Sequence, residues 1–60
     1  MDKFMVESKD FLFDQTNTLR LVKGAKYEVR HEFPHGFLIV DESGNEVVFD
    51  KMNFYEVEED

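Results

Sequence analysis

The side chains of this 60-residue sequence best suited to making or breaking bonds are two serines, two histidines and fourteen carboxylates, and there is no cysteine. A serine nucleophile needs a strained elbow to present it and a base within hydrogen-bond reach. Ser43 falls instead in Asp41-Glu42-Ser43-Gly44-Asn45, a string of turn formers, and Ser8 has no histidine near it in sequence. General acid chemistry needs a carboxyl desolvated enough to raise its pKa, whereas these acids alternate outward or sit in turns. His31 and His35 fall short of the three or four ligands of a tetrahedral zinc site, and no thiolate is present to complete one. Asp41 to Glu46 carries oxygens without the spacing of a calcium loop. The three glycines, Gly24, Gly36 and Gly44, punctuate turns and form no phosphate cradle. No catalytic residue, metal ligand set or cofactor is expected.

Charge says more. Residues 41–60 hold eight acids (Asp41, Glu42, Glu46, Asp50, Glu56, Glu58, Glu59, Asp60) against the single cation Lys51, while residues 1–40 balance, so the net charge of −7 lies wholly in the C-terminal third. Phosphate binding requires Lys and Arg to displace counterions, so direct contact with nucleic acid or anionic lipid is not expected there. Arg20, Lys23, Lys26 and Arg30 form a modest basic cluster around Tyr27, more suited to pairing with the acidic half than to binding nucleic acid.

The elements that must carry these groups read as strands. Tyr27 to Phe33 alternates, with Tyr27, Val29, His31 and Phe33 on one face and Glu28, Arg30 and Glu32 on the other, a period of two. His31 is expected to be partly buried and His35 an exposed loop residue. Phe37 to Val40 is a continuous apolar run, as in a strand covered on both faces. Asp41 to Asn45 turns the chain, with Gly44 placed for a left-handed conformation, and Glu46 to Phe49 returns as the partner strand. Phe4 to Ser8 opens the chain as a strand, Asp10 to Asn17 is a long excursion, and Leu19 to Val22 leads to the turn at Lys23 to Lys26. Asp50 to Asn53 suits one turn of 3₁₀ helix before a closing strand, Phe54 to Val57. A rival reading packs an N-terminal helix, residues 1–13, on a three-stranded meander, but the 3.6 period is poor there and no cap precedes it.

Sixty residues make one domain at most, and its core rests on nine aromatic rings, seven Phe and two Tyr. The predicted fold is mainly β: an SH3-like small five-stranded barrel over residues 1–57, with a long first loop and a 3₁₀ turn before the last strand, followed by an acidic tail, 58–60. No apolar run reaches the roughly 20 residues of a membrane helix, nor is there a secretion signal, and a cytoplasmic location is expected.

Leu21 to Glu59 resembles the small SH3-like proteins of Gram-positive bacteria and their phages and prophages. The matching positions are Lys23, Gly24, Tyr27, Val29, Ile39, Asp41, Glu42, Gly44, Glu46, Phe54 and Val57. The resemblance implies the fold and, for a phage-encoded chain, residence in the host cytoplasm. It implies no activity, since most such proteins have none assigned.

Two functions follow from the sequence. In the first, the chain is a non-catalytic module that binds a host or self protein through an apolar patch of Leu38, Val40, Val48 and Tyr55, a homodimer being the plainest form. Alternatively, Phe4 to Phe13 fold over that patch and cover it. In the second, Asp41, Glu42, Glu46, Asp50, Glu56 and Glu58 imitate the phosphates of a nucleic acid and inhibit a host DNA- or RNA-binding protein. Polyproline recognition by Phe11, Phe13, Tyr55, Asp10 and Asp14 is a weaker third, because the groove tryptophan is missing.

Overall fold

Seven strands and one 3₁₀ turn account for the chain in the computed structural model, which describes residues 4–57. In order they are β1 (Met5–Ser8), β2 (Leu12–Phe13), β3 (Leu19–Leu21), β4 (Lys26–Glu32), β5 (Gly36–Val40), β6 (Glu46–Asp50), the 3₁₀ turn Lys51–Asn53, and β7 (Phe54–Val57). Five of them form one antiparallel sheet in the order β6-β5-β4-β1-β7, and β2 and β3 form a separate hairpin. The long excursion expected between residues 10 and 17 is thus partly ordered into a ladder, Leu12 opposite Leu21 and Phe13 opposite Leu19. The N-terminal segment from Met5 is strand rather than helix.

The sheet does not close into a barrel. β6 and β7 are its two edges and share no ladder. Phe49 from β6 and Phe54 from β7 pack ring against ring in the core, centroids 6.4 Å apart. The edges are bridged by rings and by the three-residue turn instead. That turn is capped by Asp50, whose carboxylate accepts the Met52 N–H at 2.9 Å.

One face of the sheet is the core. Val6, Tyr27, Phe37, Ile39, Phe49 and Phe54 are buried there, and Leu21 from the β2–β3 hairpin joins them. Phe4, Leu12, Ala25, Val29 and Val47 pack around this cluster. Phe37 is central, edge-on to Phe4 at 5.4 Å and to Phe54 at 6.0 Å, arrangements that suit the quadrupoles of aromatic rings. The β2–β3 hairpin and Phe4 therefore pack on the inner face, and among the described residues none of the core cluster lies on the other.

The β5–β6 hairpin pairs Gly36 with Asp50 through to Val40 with Glu46, across the turn expected at Asp41 to Asn45. Gly44 adopts φ +88° in its turn, the left-handed conformation expected of it. Gly36 is required for a different reason: a Cβ there would lie 2.8 Å from the Phe49 carbonyl oxygen and 2.9 Å from Val48 Cγ1. Backbone cannot retreat as a flexible side chain can. Gly36→Ala is expected to cost about 1–3 kcal/mol by overpacking; an unchanged urea midpoint would contradict this close approach.

The regular alternation expected of Tyr27 to Phe33 fails at one point. Val29 lies opposite Ile39, but His31 lies opposite Leu38 and Glu32 opposite Phe37, so the register shifts at Arg30. A bulge of this kind sets two residues against one and reverses the facing of everything after it. His31 and Phe33 consequently leave the face of Tyr27 and Val29. His31 is exposed, not partly buried as its sequence position implied.

Candidate interaction surface

The outer face of β4, β5 and β6 carries four apolar side chains that the core does not use, Phe33, Leu38, Val40 and Val48. Leu38 and Val48 are cross-strand partners there, Val40 lies two residues along from Leu38, and His31 is Leu38's neighbour on the other side. Phe33 continues the row, its ring 4.6 Å from that of His31. Val48 is 50% exposed and Phe33 39%, while Leu38 and Val40 are half-buried by their neighbours alone. Of the segment Phe4 to Phe13, the alternative cover for this patch, Phe4 and Leu12 pack against the core on the opposite face.

Of the four residues expected to form one patch, three do so. Tyr55 does not. It lies on β7 opposite Glu7, and in the strand order β4 and β1 separate β7 from β5. It is 59% exposed, with Lys9 Nζ 4.9 Å from its ring centroid. His31 and Phe33 take its place in the patch. The bulge that put them there leaves no mark in the hydrophobic pattern.

The acids expected to make a common surface are dispersed. Asp41 is not a surface group: its side chain is fully inaccessible. One oxygen accepts the Ser43 N–H (2.9 Å), the Ser43 hydroxyl (2.6 Å) and the Asn45 N–H (3.1 Å), and the other accepts Arg20 Nη1 at 3.1 Å. Burial pushes its pKa up, but these donors outweigh burial and hold it below the ordinary carboxylate range. Asp50 is committed to capping the 3₁₀ turn. Glu42, Glu46 and Glu56 are exposed, with Glu46 on β6 and Glu56 on β7 at opposite edges of the sheet. Glu58 lies outside the described residues, as does the rest of the acidic tail.

Arg20 is the second half of the Asp41 arrangement. From β3 its guanidinium reaches Asp14 Oδ2 through Nη2 (2.7 Å) and Nε (3.0 Å), and Ser43 Oγ through Nη1 at 2.6 Å. Asp14 also accepts the Thr16 hydroxyl and the N–H groups of Thr16 and Thr18. The Thr16 and Thr18 bonds, with Arg20 after them, hold Asp14 far below the usual carboxylate range. The Arg20 pKa is raised in turn, first by Asp14. One cation thus clamps the loop between β2 and β3 to the turn between β5 and β6, as expected of a basic cluster that pairs with the acidic half. The spacing Asp-x-Ser-x-Asn was the visible signal for this turn, since such carboxylates bind the backbone two residues on.

Both serine hydroxyls have partners within the chain. The Ser43 hydroxyl is held by Asp41, and the buried Ser8 hydroxyl donates to the Asp10 carbonyl at 2.6 Å. The loop acids invoked for a peptide groove are occupied as well, Asp14 by Arg20 and Asp10 by the Phe11 N–H. A dimple of about 80 Å³ beside Phe11, Leu12, Met52 and Asn53 is well under the 300 Å³ or more of a typical small-molecule site. Among the described residues no three His, Cys, Asp or Glu side chains gather as a metal site, and no helix is long and apolar enough to cross a membrane. No protein-family model, curated protein or solved structure matches this chain.

Proposed function

We propose that this chain is a non-catalytic protein-interaction module that binds its partner through the outer face of β4–β6. The observation that carries the reading is the contiguous row of Phe33, His31, Leu38, Val48 and Val40 on a sheet face that no other described segment covers. A soluble domain leaves such a row open at a cost in aggregation unless something docks on it. The strand order and the 3₁₀ turn before β7 support assigning the architecture to an SH3-like, incompletely closed barrel. A phage or prophage origin, with a host protein as partner and the host cytoplasm as its setting, extends that assignment and rests on the sequence resemblance.

Nucleic-acid mimicry is less well supported. Its acids do not form a strip: Asp41 is internal, Asp50 caps a turn, and Glu46 and Glu56 mark opposite edges.

Affinity capture from lysate with the intact chain separates the two. A partner of the outer face is expected to stay bound at a few hundred millimolar salt, because apolar contact is not screened. It is expected to be lost on Leu38→Asp or Val48→Asp, while the melting temperature stays near that of the wild type. Proteins released by salt yet indifferent to both substitutions would overturn the proposal in favour of mimicry.

A further inference from the structure

The free edge of β6 adjoins the apolar row, and its backbone phase is fixed by two bonds that bracket the β5–β6 ladder. The Asp41 N–H donates to the Asn45 carbonyl at 2.9 Å, and the Lys51 N–H to the His35 carbonyl at 3.1 Å. In an antiparallel ladder the bonded pairs recur every second residue, so Ile39 with Val47 and Phe37 with Phe49 exchange the intervening bonds. The N–H and C=O groups of Glu46, Val48 and Asp50 therefore point away from β5. All three residues are exposed, and among the described residues no strand pairs with β6 on that side. β7, the other edge, offers less: the Phe54 N–H is already spent on the Lys51 carbonyl.

The three side chains on this edge read acid, apolar, acid, all on the outer face. A second copy would meet them badly. The antiparallel register that uses all three outward backbone pairs centres on Val48 and sets Glu46 against Asp50 twice, and like charges directly opposite are destabilising. A strand reading basic, apolar, basic meets them well: each cation faces a carboxylate, and its central side chain extends the Leu38–Val48 row.

We infer that β6 accepts an extended segment of another protein as a sixth strand, one with Lys or Arg flanking an apolar residue at two-residue spacing, and that it rejects a second copy of itself. This rests on the outer-face reading above and specifies the partner of that face. Main-chain bonds would supply affinity, and the alternate side chains specificity.

The probe is a peptide of sequence Thr-Lys-Thr-Val-Thr-Lys-Thr, blocked at both ends and added to the ¹⁵N-labelled chain. The expected result is slowed hydrogen exchange at the Glu46, Val48 and Asp50 amides. N-methylation of the two lysines and the valine should weaken binding about tenfold or more, whereas N-methylation of the inner threonines, whose N–H groups face away, should change it less than about threefold. Replacing the lysines by glutamate should weaken it by at least about tenfold at low salt. The inference is overturned if those three amides stay unprotected at millimolar peptide, or if both methylated peptides bind alike. It falls alone if a protein partner lost on Leu38→Asp leaves the edge amides exchanging freely. A partner indifferent to Leu38→Asp instead overturns the outer-face reading.

Discussion

Phe37→Ala is expected to leave this chain unfolded at room temperature. Phe37 is 2% exposed and ties β5 across the core to Phe4, beside β1, and to Phe54, at the start of β7. Truncating a buried ring of this kind costs about 3–5 kcal/mol, the lost transfer energy plus the cavity left behind. A single core in a chain under about 70 residues rarely supplies more than about 3–5 kcal/mol in total. The loss equals the whole stability, and no disulfide is present to absorb it. Phe37→Leu retains most of the volume and should cost about 1–2 kcal/mol, leaving a cooperative but earlier transition. Urea titrations followed by far-ultraviolet circular dichroism decide the matter. A cooperative transition in Phe37→Ala within about 1 kcal/mol of the wild type would mean the core closes over the gap, and the ring is not its keystone.

The second large effect is a contrast between adjacent acids. Asp41→Ala is expected to cost about 2–3 kcal/mol, and Glu42→Ala less than about 0.5. Asp41 accepts two backbone N–H groups, a hydroxyl and the Arg20 guanidinium, all of which lose their acceptor together. Glu42 is exposed, and its structural bond, from its own N–H to the Arg20 carbonyl at 2.9 Å, survives truncation of the side chain. Equal losses at the two positions would show that net charge, rather than this turn, sets stability.

A pH dependence follows from the same carboxylates. The folded-state pKa values of Asp14 and Asp41 lie below their unfolded values. The stabilisation is therefore fully present above the unfolded value, about 3.9, and is lost as the pH falls through the folded values. Chemical denaturation at descending pH should show the wild type weakening below about pH 5. In Asp41→Ala that acid limb should be shallower, the Asp14 share remaining. A limb of unchanged steepness would assign the acid sensitivity to other groups.

Much of the architecture is written locally. Turn formers at Asp41 to Asn45, the apolar run of Phe37 to Val40 and the single helical turn before Phe54 all state their own conformation within a few residues. The five strands of the main sheet and their order along the chain follow from such signals. The charge asymmetry is likewise legible, because it needs only counting.

What the tertiary structure decided was which side of the sheet each residue faces and which groups are spent on one another. A bulge at Arg30 depends on how β4 meets β5, not on the hydrophobic pattern of β4, and it alone carried His31 and Phe33 to the outer face. Asp41 looked like one acid among eight until Arg20, 21 residues earlier, buried it. Tyr55, apolar enough in sequence to join the patch, sits on β7, which β1 and β4 separate from β5 in the strand order. The barrel closure expected from the sequence is not found: local pattern specifies strands, but which of them pair is settled by the whole sheet, and β6 and β7 share no ladder.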